Sequence, residues 1–515
     1  MPVLLPRSKR GDQTLPDWRP YQPAQPEFDV VIIGGGSAGY AAARVAGDLG
    51  ARTALIEGGE KVGGLCILRG CMPSKALLES AHRWHAIGKA RQFGLLVQRK
   101  GIDFPAVQAR KDELIGGFAH YRHKQLKRGK FTFLRGRASF LDPHTLLLQR
   151  GGRRELLTAA TFILSTGSVI QKVPVPGLWE TGCWTSDTAL EADHIPKRLA
   201  VLGGGVIAVE LGQFFARMGS KTTVLQRSGR LVRSYDPDVS FELERAFRAE
   251  DIDVTTDVKL LEVRPAGKAK KIIYERRRVK KELIVDEILY AMGRVPALDG
   301  LQLDNAGVAV EGGHLKMEPN LATSAPHIFA AGDVAGPHEV VHIAIEQGEC
   351  AARNAVRHLR GLDAEAEKVD YRIKALVTFT EPEIASVGLT ETEAKNQGIL
   401  FISAKYPFND HGKAMIGGYD YGFVKIIAEK TRGEIIGAEI IGPHASDLIH
   451  ELVAVMYYHG TVQQLAKMPH YHPTLAEIVT YPAEELAQKF GPVEAYLENG
   501  NSPAALPRKP AVRAV

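Results

Sequence analysis

Two glycine-rich turns, each set between a short apolar strand and a helix, precede a C-terminal stretch that alternates strand and helix patterns. Together they predict an α/β chain with two Rossmann-like dinucleotide-binding domains and a C-terminal α+β domain. The 515 residues are too many for one compact core and are expected to divide among about three domains. Hydrophobic residues make up 45% and charged residues 24%, the balance of an ordinary globular protein. No apolar run approaches the roughly 20 residues needed to span a bilayer, so no membrane role is expected. The formal net charge of +6 is partly carried by Arg508, Lys509 and Arg513, and the other bases are interspersed with acids. Without a basic stripe and stacking aromatics, a nucleic-acid partner is not expected.

The N-terminal residues 1–27 contain proline, arginine, aspartate and Trp18 but no continuous apolar segment, so they do not read as a secretory signal. Asp12, Asp17 and Glu27 also oppose an organellar presequence. This stretch and residues 491–515 read as flexible tails. The four cysteines, Cys66, Cys71, Cys183 and Cys350, are too few for a disulfide framework. They point to a reducing compartment and hence a cytoplasmic location.

The first element is an apolar strand over residues 28–33, followed by Gly34, Gly36 and Gly39 in G-x-G-x-x-G order. The first glycine makes the tight turn, the second lets backbone approach a pyrophosphate, and the third lets helix and strand pack closely. An Ala-rich helix over 41–49 follows, with its N-terminus turned toward the phosphates. A second strand over 53–56 ends at Glu57, placed to accept hydrogen bonds from a ribose.

Residues 63–75 read GGLCILRGCMPSK and open a helix. Cys66 and Cys71 in C-x4-C spacing at a helix start are expected to reach each other across a distorted first turn, where the helix dipole stabilises a thiolate. Two buried structural cysteines are the alternative. A zinc half-site lacks partner ligands, since Cys183 and Cys350 are isolated, and no metal is expected.

This stretch resembles the redox signature of the class I pyridine nucleotide-disulfide oxidoreductases, which include dihydrolipoamide dehydrogenase, glutathione reductase and mercuric reductase. The resemblance extends over nearly all of residues 28–490, although Ile67-Leu68-Arg69 replaces a more usual Asn-containing segment. It implies FAD as cofactor, with Cys71 against the flavin as a charge-transfer thiolate and Cys66 exchanging with substrate. Lys75 would sit near the reactive flavin nitrogen.

Residues 162–167 (FILSTG) resemble the family's A-T-G segment, with Ser165 in the alanine position, and assign Thr166 and Gly167 to the flavin site. After a Pro-rich linker, a strand over 199–202 leads to Gly203, Gly205 and Ala208, then a helix, then a strand over 221–225. A second such turn suggests a second dinucleotide, and a flavin with a nicotinamide fits. The resemblance pairs Glu210, on the intervening helix, with Lys75. At the second strand's end, where an NAD site would place an acid, the chain reads Gln226-Arg227-Ser228, with Arg230 and Arg233 beyond. Arg227 and Arg233 match in spacing the two arginines by which glutathione reductases hold NADPH, which favours NADPH over NADH; surface charges of an exposed loop are the alternative. Residues 290–296 (YAMGRVP), containing Gly293, resemble the segment closing the nicotinamide domain. Residues 328–334 (IFAAGDV) resemble the returning FAD segment, in which Asp333 would accept a hydrogen bond from the ribityl chain. The expected division is an N-terminal extension to 27, FAD-binding residues 28–172, NAD(P)-binding residues 173–295, a central FAD part 296–365, a dimerisation domain 366–490 and a tail.

Within 371–490, strands over 375–379, 423–427 and 435–440 alternate with helices over 445–458 and 482–489. Residues 380–391 resemble the opening of the family's dimerisation domain, which makes the third unit an α+β dimerisation domain. In His470-Tyr471-His472-Pro473-Thr474-Leu475-Ala476-Glu477, a proline expected to start a helix would let Glu477 fold back on His472 and fix its tautomer. The resemblance implies that His472 and Glu477 act on the disulfide of the other subunit of a homodimer, with His470 lining the site.

The implied reaction passes hydride from a nicotinamide to FAD, then electrons to the Cys66–Cys71 disulfide, then to a small disulfide of the lipoamide or glutathione type, or the reverse. The segments HYHPTLAE and VHIAIEQG look like dihydrolipoamide dehydrogenase, whereas the Gln226-Arg227 strand end looks like an NADPH-dependent glutathione reductase. A mercuric reductase-like activity lacks its C-terminal cysteine pair and N-terminal Cys-x-x-Cys module. A flavoprotein scaffold without turnover would have no use for the filled catalytic positions.

Overall fold

The computed structural model describes residues 25–490; of the tails expected over 1–27 and 491–515, all but residues 25–27 lie outside the described residues. The chain forms the expected α/β architecture, built on three main sheets. In the first, strand Phe28–Ile33 lies between Thr53–Glu57 and Arg153–Leu164, parallel to both, with Val31 opposite Ala54 on one side and Phe162 on the other. Val30, Val31 and Ile32 are all fully buried, as expected for a parallel strand covered on both faces. Thr132–Arg135 extends one edge, while Thr145–Arg150 and Arg137–Asp142 add an antiparallel wing on the other side. The short strand Ile328–Ala330 returns much later to pair with Arg153–Leu164, so this unit closes only after the second is complete. Helix Ser37–Asp48 is clamped by helix Val341–Leu359. Their approach depends on Gly348, where an added Cβ would stand 2.2 Å from the Ala38 carbonyl oxygen.

The second sheet is fully parallel, in the order Asp253–Thr255, Lys221–Leu225, Arg198–Leu202, Glu287–Tyr290 and Trp184–Thr185. An antiparallel sheet of three strands, Val258–Ala266, Ala269–Arg276 and Val279–Val285, was not foreseen from sequence. Its Val263 and Ile272 join Val175, Leu202 and Tyr290 in one core.

The third sheet is antiparallel: Ala375–Thr378, Glu383–Gly388, Ile435–Gly442, Phe423–Glu429 and Phe401–Pro407. Helix Ala445–Tyr457 covers it through Ile449, Leu452 and Met456, all fully buried. The last α-helix, expected over 482–489, runs over Thr480–Ala487 instead and gives way to a 3-10 turn. Among the described residues no helix is long and apolar enough to cross a membrane.

Candidate active site

The two glycine turns share a geometry that suits a diphosphate. Gly34 and Gly203 have φ of +112° and +117°, and a Cβ at either would stand 2.2 Å from a carbonyl oxygen, of Ser165 and Ala291 respectively. Only glycine fits both constraints. At the second positions the situation reverses: a Cβ on Gly205 would meet nothing within 4 Å, and one on Gly36 only Gly64 Cα at 3.9 Å. These faces leave room for a ligand against bare backbone and the helix N-termini behind it. The third positions are for packing, since a Cβ on Gly39 would lie 1.8 Å from the Gly34 oxygen, and Ala208 is fully buried. The Glu57 carboxylate stands at the mouth of the first turn, accepting from the backbone N–H of Gly35 at 3.1 Å and Gly59 at 2.6 Å.

Beside the second turn lies a cavity of about 1240 Å³ that reaches the helix opened by Cys71. Cys71, Lys75 and Glu210 line it together with Gly203, Gly205, Arg227, Gly293 and Asp333. Asp333 accepts from Ser168 Oγ at 2.7 Å, and Arg294 donates to the Ser168 hydroxyl and carbonyl oxygens at 2.9 and 2.8 Å. The Thr166 hydroxyl is occupied elsewhere, donating to the Ala297 carbonyl at 2.8 Å, and Gly167 has φ of +74°. Open glycine faces, a ribose-ready carboxylate and this cavity together fit FAD and a nicotinamide dinucleotide.

The cysteines do not share one distorted turn. Cys66 sits on the short helix Gly64–Arg69 and Cys71 opens the helix Cys71–Lys89, with Gly70 breaking the path between them. Both are free, half-buried thiols. A hydrogen bond from Cys66 lowers the Cys71 pKa; burial opposes this, and the Lys75 ammonium adds to the lowering. The same bond, with burial, pushes the Cys66 thiol well above its usual range. The pair therefore has one natural thiolate, at Cys71, and one natural proton holder, at Cys66. Lys75 Nζ lies 2.7 Å from Glu210 Oε2 and over the Phe379 ring at 4.7 Å. Buried Glu210 also accepts from the Phe379 N–H at 2.8 Å, so both carboxylate oxygens are engaged.

At the nucleotide strand end, Gln226 occupies the acid position and accepts from the Arg227 N–H at 3.1 Å. Arg227 and Arg233 are both exposed, but only Arg227 belongs to the cavity lining. Arg230 turns inward and donates to the Tyr235 and Arg233 carbonyls.

His472 Nδ1 lies 3.0 and 3.1 Å from the two oxygens of Glu477. Pro473 does not start a helix as expected. The His472–Pro473 peptide is cis, and Glu477 lies in the 3-10 turn Ala476–Val479, whose tight winding brings the carboxylate back to the ring. His470 is held by Glu451 Oε1 at 2.7 Å and the Met468 carbonyl at 3.0 Å. The His472 side chain is 78% exposed, and no described hydrogen bond or ion pair links it to Cys66 or Cys71 of the same chain.

Two residues escaped the sequence reading. Arg122, on helix Phe104–Arg128, packs its guanidinium over the Tyr40 ring at 4.2 Å, close enough to Cys66 to favour its thiolate. His411 is fully buried with Nε2 at 3.2 Å from Glu477 Oε1. Arg122 belongs to no motif, and His411 lies in Asn409-Asp410-His411, which departs from the Asn-Gly-Arg usual in the resembled family, but it was not assigned to the site.

Residues 28–348 match the family described as pyridine nucleotide-disulphide oxidoreductase, and residues 375–483 match its dimerisation domain. A dihydrolipoyl dehydrogenase from Bacillus subtilis is 33% identical over 464 residues, spanning 88% of this chain and 96% of the relative. Among solved structures, LpdA from Mycobacterium tuberculosis superposes with a TM-score of 0.80 at 25% identity, covering 89% of this chain and 99% of its own. The HOCl-induced flavoprotein disulfide reductase RclA from Escherichia coli superposes with a TM-score of 0.78, also at 25% identity, covering 90% and 100%.

Proposed function

The chain belongs to the pyridine nucleotide-disulphide oxidoreductase family, an FAD- and NAD(P)-dependent enzyme class acting on sulfur groups, and from that premise we propose a dihydrolipoamide dehydrogenase-like disulfide reductase that runs on NADPH. Its substrate is a small disulfide or dithiol of the lipoamide or glutathione type. The observation that carries this reading is the Cys66–Cys71 pair, with its unequal proton affinities, whose Cys71 joins the Lys75–Glu210 ion pair in a cavity walled by the second glycine turn.

Gly34, Gly36, Gly39, Glu57, Thr166, Gly167 and Asp333 would hold FAD, which would supply the two-electron relay between nicotinamide and sulfur. Lys75, fixed by Glu210, brings a positive charge into the cavity and favours the Cys71 thiolate. Cys66 holds its proton until a base removes it. In the homodimer that the dimerisation domain supports, the partner subunit's His472 is that base. Its Nδ1 faces Glu477, which leaves Nε2 free. The Cys66 thiolate attacks one sulfur of the substrate disulfide and forms a mixed disulfide, and His472 returns the proton to the departing thiolate. The Cys71 thiolate then attacks the Cys66 sulfur, closing the internal disulfide and expelling the second sulfur as a thiolate, which takes its proton from solvent. One substrate disulfide is reduced for each protein dithiol oxidised.

Gln226 and Arg227 support NADPH, because the position that would bind a ribose diol holds no carboxylate and the adjacent guanidinium faces the cavity. The low cysteine count supports a cytoplasmic location. A Cys66→Ser variant tests the reading: it should bind FAD and accept electrons from NADPH but lose disulfide reduction. Retained disulfide reduction would refute the assigned exchange thiol.

A further inference from the structure

The two cysteines have different surroundings. Cys71 lines the cavity with Lys75 and Glu210, whereas Cys66 is not part of that lining. Cys66 sits on helix Gly64–Arg69, which packs against helix Phe104–Arg128, the carrier of Arg122. Against the Cys71 bond and burial, which hold the proton on Cys66, two cations favour its thiolate, Lys75 and Arg122. Lys75 is committed to Glu210 at 2.7 Å. Arg122 has no such anion. Among the described residues its guanidinium makes no ion pair, and its enclosed Nη1 has no hydrogen-bond partner. What fixes it is the Tyr40 ring, with the guanidinium carbon 4.2 Å from the ring centre. Burial lowers the Arg122 pKa, and the groups acting against this are Tyr40, Cys66 and Tyr121, with no carboxylate among them. A half-buried cation has given up solvation that an anion can return, and the planar fork of a guanidinium matches a carboxylate.

We propose that Arg122 is a specificity-determining residue that receives a carboxylate of the substrate while Cys66 attacks its disulfide, so that the enzyme selects acidic small disulfides over neutral ones. This rests on the reading of Cys66 as the exchange thiol. Free lipoate carries such a carboxylate, and lipoamide presents a neutral amide in the same place. The two share the disulfide ring, the aliphatic chain and the leaving sulfur, so a difference between them measures recognition of the acid and not the chemistry of exchange.

The test is NADPH-dependent reduction of lipoate and of lipoamide by the holoenzyme, compared as kcat/KM. Wild type should favour lipoate. Arg122→Leu, which keeps apolar packing on Tyr40, should lower the lipoate-to-lipoamide ratio roughly 10-fold. Arg122→Lys, a cation without the planar fork, should retain part of the preference. The ratio divides out any effect of Arg122 on Cys66 itself, so an equal loss on both substrates would give the residue a role on the thiol alone and overturn the proposal. A wild-type enzyme with no preference for lipoate overturns it without any variant. Loss of flavin from both variants would assign the guanidinium to the cofactor, with the same consequence. If neither compound reoxidises the NADPH-reduced wild type, the reading of its substrate class itself fails and the proposal falls with it.

Discussion

The Cys71 sulfur illustrates how single residues divide the work. A hydrogen bond from Cys66 and the nearby Lys75 charge favour the thiolate against the cost of burial, and the net shift is downward, to about 7. In the reduced enzyme, the long-wavelength thiolate–flavin absorbance should therefore persist from alkaline pH to near neutrality and fade as pH falls through about 7. Removing the donor in Cys66→Ala should move that midpoint toward the ordinary thiol range; an unchanged midpoint would show that the bond has no such role. In the proposed NADPH reading, Arg227 carries the nucleotide choice. A charge-assisted bond to a 2′-phosphate is worth about 1.5–3 kcal/mol, so Arg227→Ala should raise the KM for NADPH roughly 10- to 100-fold and leave that for NADH nearly unchanged. Equal effects on both nucleotides would assign the arginine to surface charge. Cys66, Cys71, Glu57 and the glycines were readable because their spacing along the chain is itself the chemistry. The contact of His411 with Glu477 was not, because it forms only through tertiary folding.

At the level of elements, strand Phe423–Glu429 is pinned to the start of helix Pro237–Ala249 by Lys425. Its ammonium is buried and lies 2.9 Å from Asp236 and from Asp238, and 2.8 Å from Glu439. Burial alone would push the Asp236 carboxyl up, but the Thr392 hydroxyl and Lys425 outweigh it and hold the pKa down to about 2. A depressed carboxyl stabilises the fold above the ordinary aspartate range, and that contribution is lost as pH falls through about 2. Lys425→Met leaves two buried carboxylates without their cation, a loss of about 3–5 kcal/mol that should lower Tm by on the order of 10 °C near neutral pH. A variant that melts with the wild type would show that the cluster is held by its other hydrogen bonds. The strand itself was legible as an apolar run. The antiparallel sheet over 258–285 was not, because its strands carry many lysines and arginines on an exposed face and lack the apolar continuity that marked the parallel strands. Nor could the sequence reveal that the expected helix start at Pro473 gives way to a 3-10 turn over Ala476–Val479.

For the whole molecule, the order of units along the chain and their arrangement in space diverge. The first sheet is completed by Ile328–Ala330, after the entire second unit, and Asp333 just beyond this strand lines the cavity together with the second glycine turn. Fold class followed from two repeated local motifs, whereas this closure followed only from the resemblance of residues 328–334 to a returning segment. Within one chain His472 is exposed over buried Glu477 and has no described bond to the cysteines, which fits the proposal that a second subunit presents it to them. The account thus requires electrons to enter at one end of the cavity and leave at the other through Cys71 and Cys66.

Anaerobic titration of the oxidised flavoprotein with NADPH tests that route most directly. The account predicts that the first equivalent produces the long-wavelength thiolate–flavin band without bleaching the flavin, because the electrons rest on the Cys66–Cys71 pair, and that the second equivalent bleaches it. Complete bleaching by one equivalent, with no such band at any point, would mean that the cysteines take no electrons and would contradict the account.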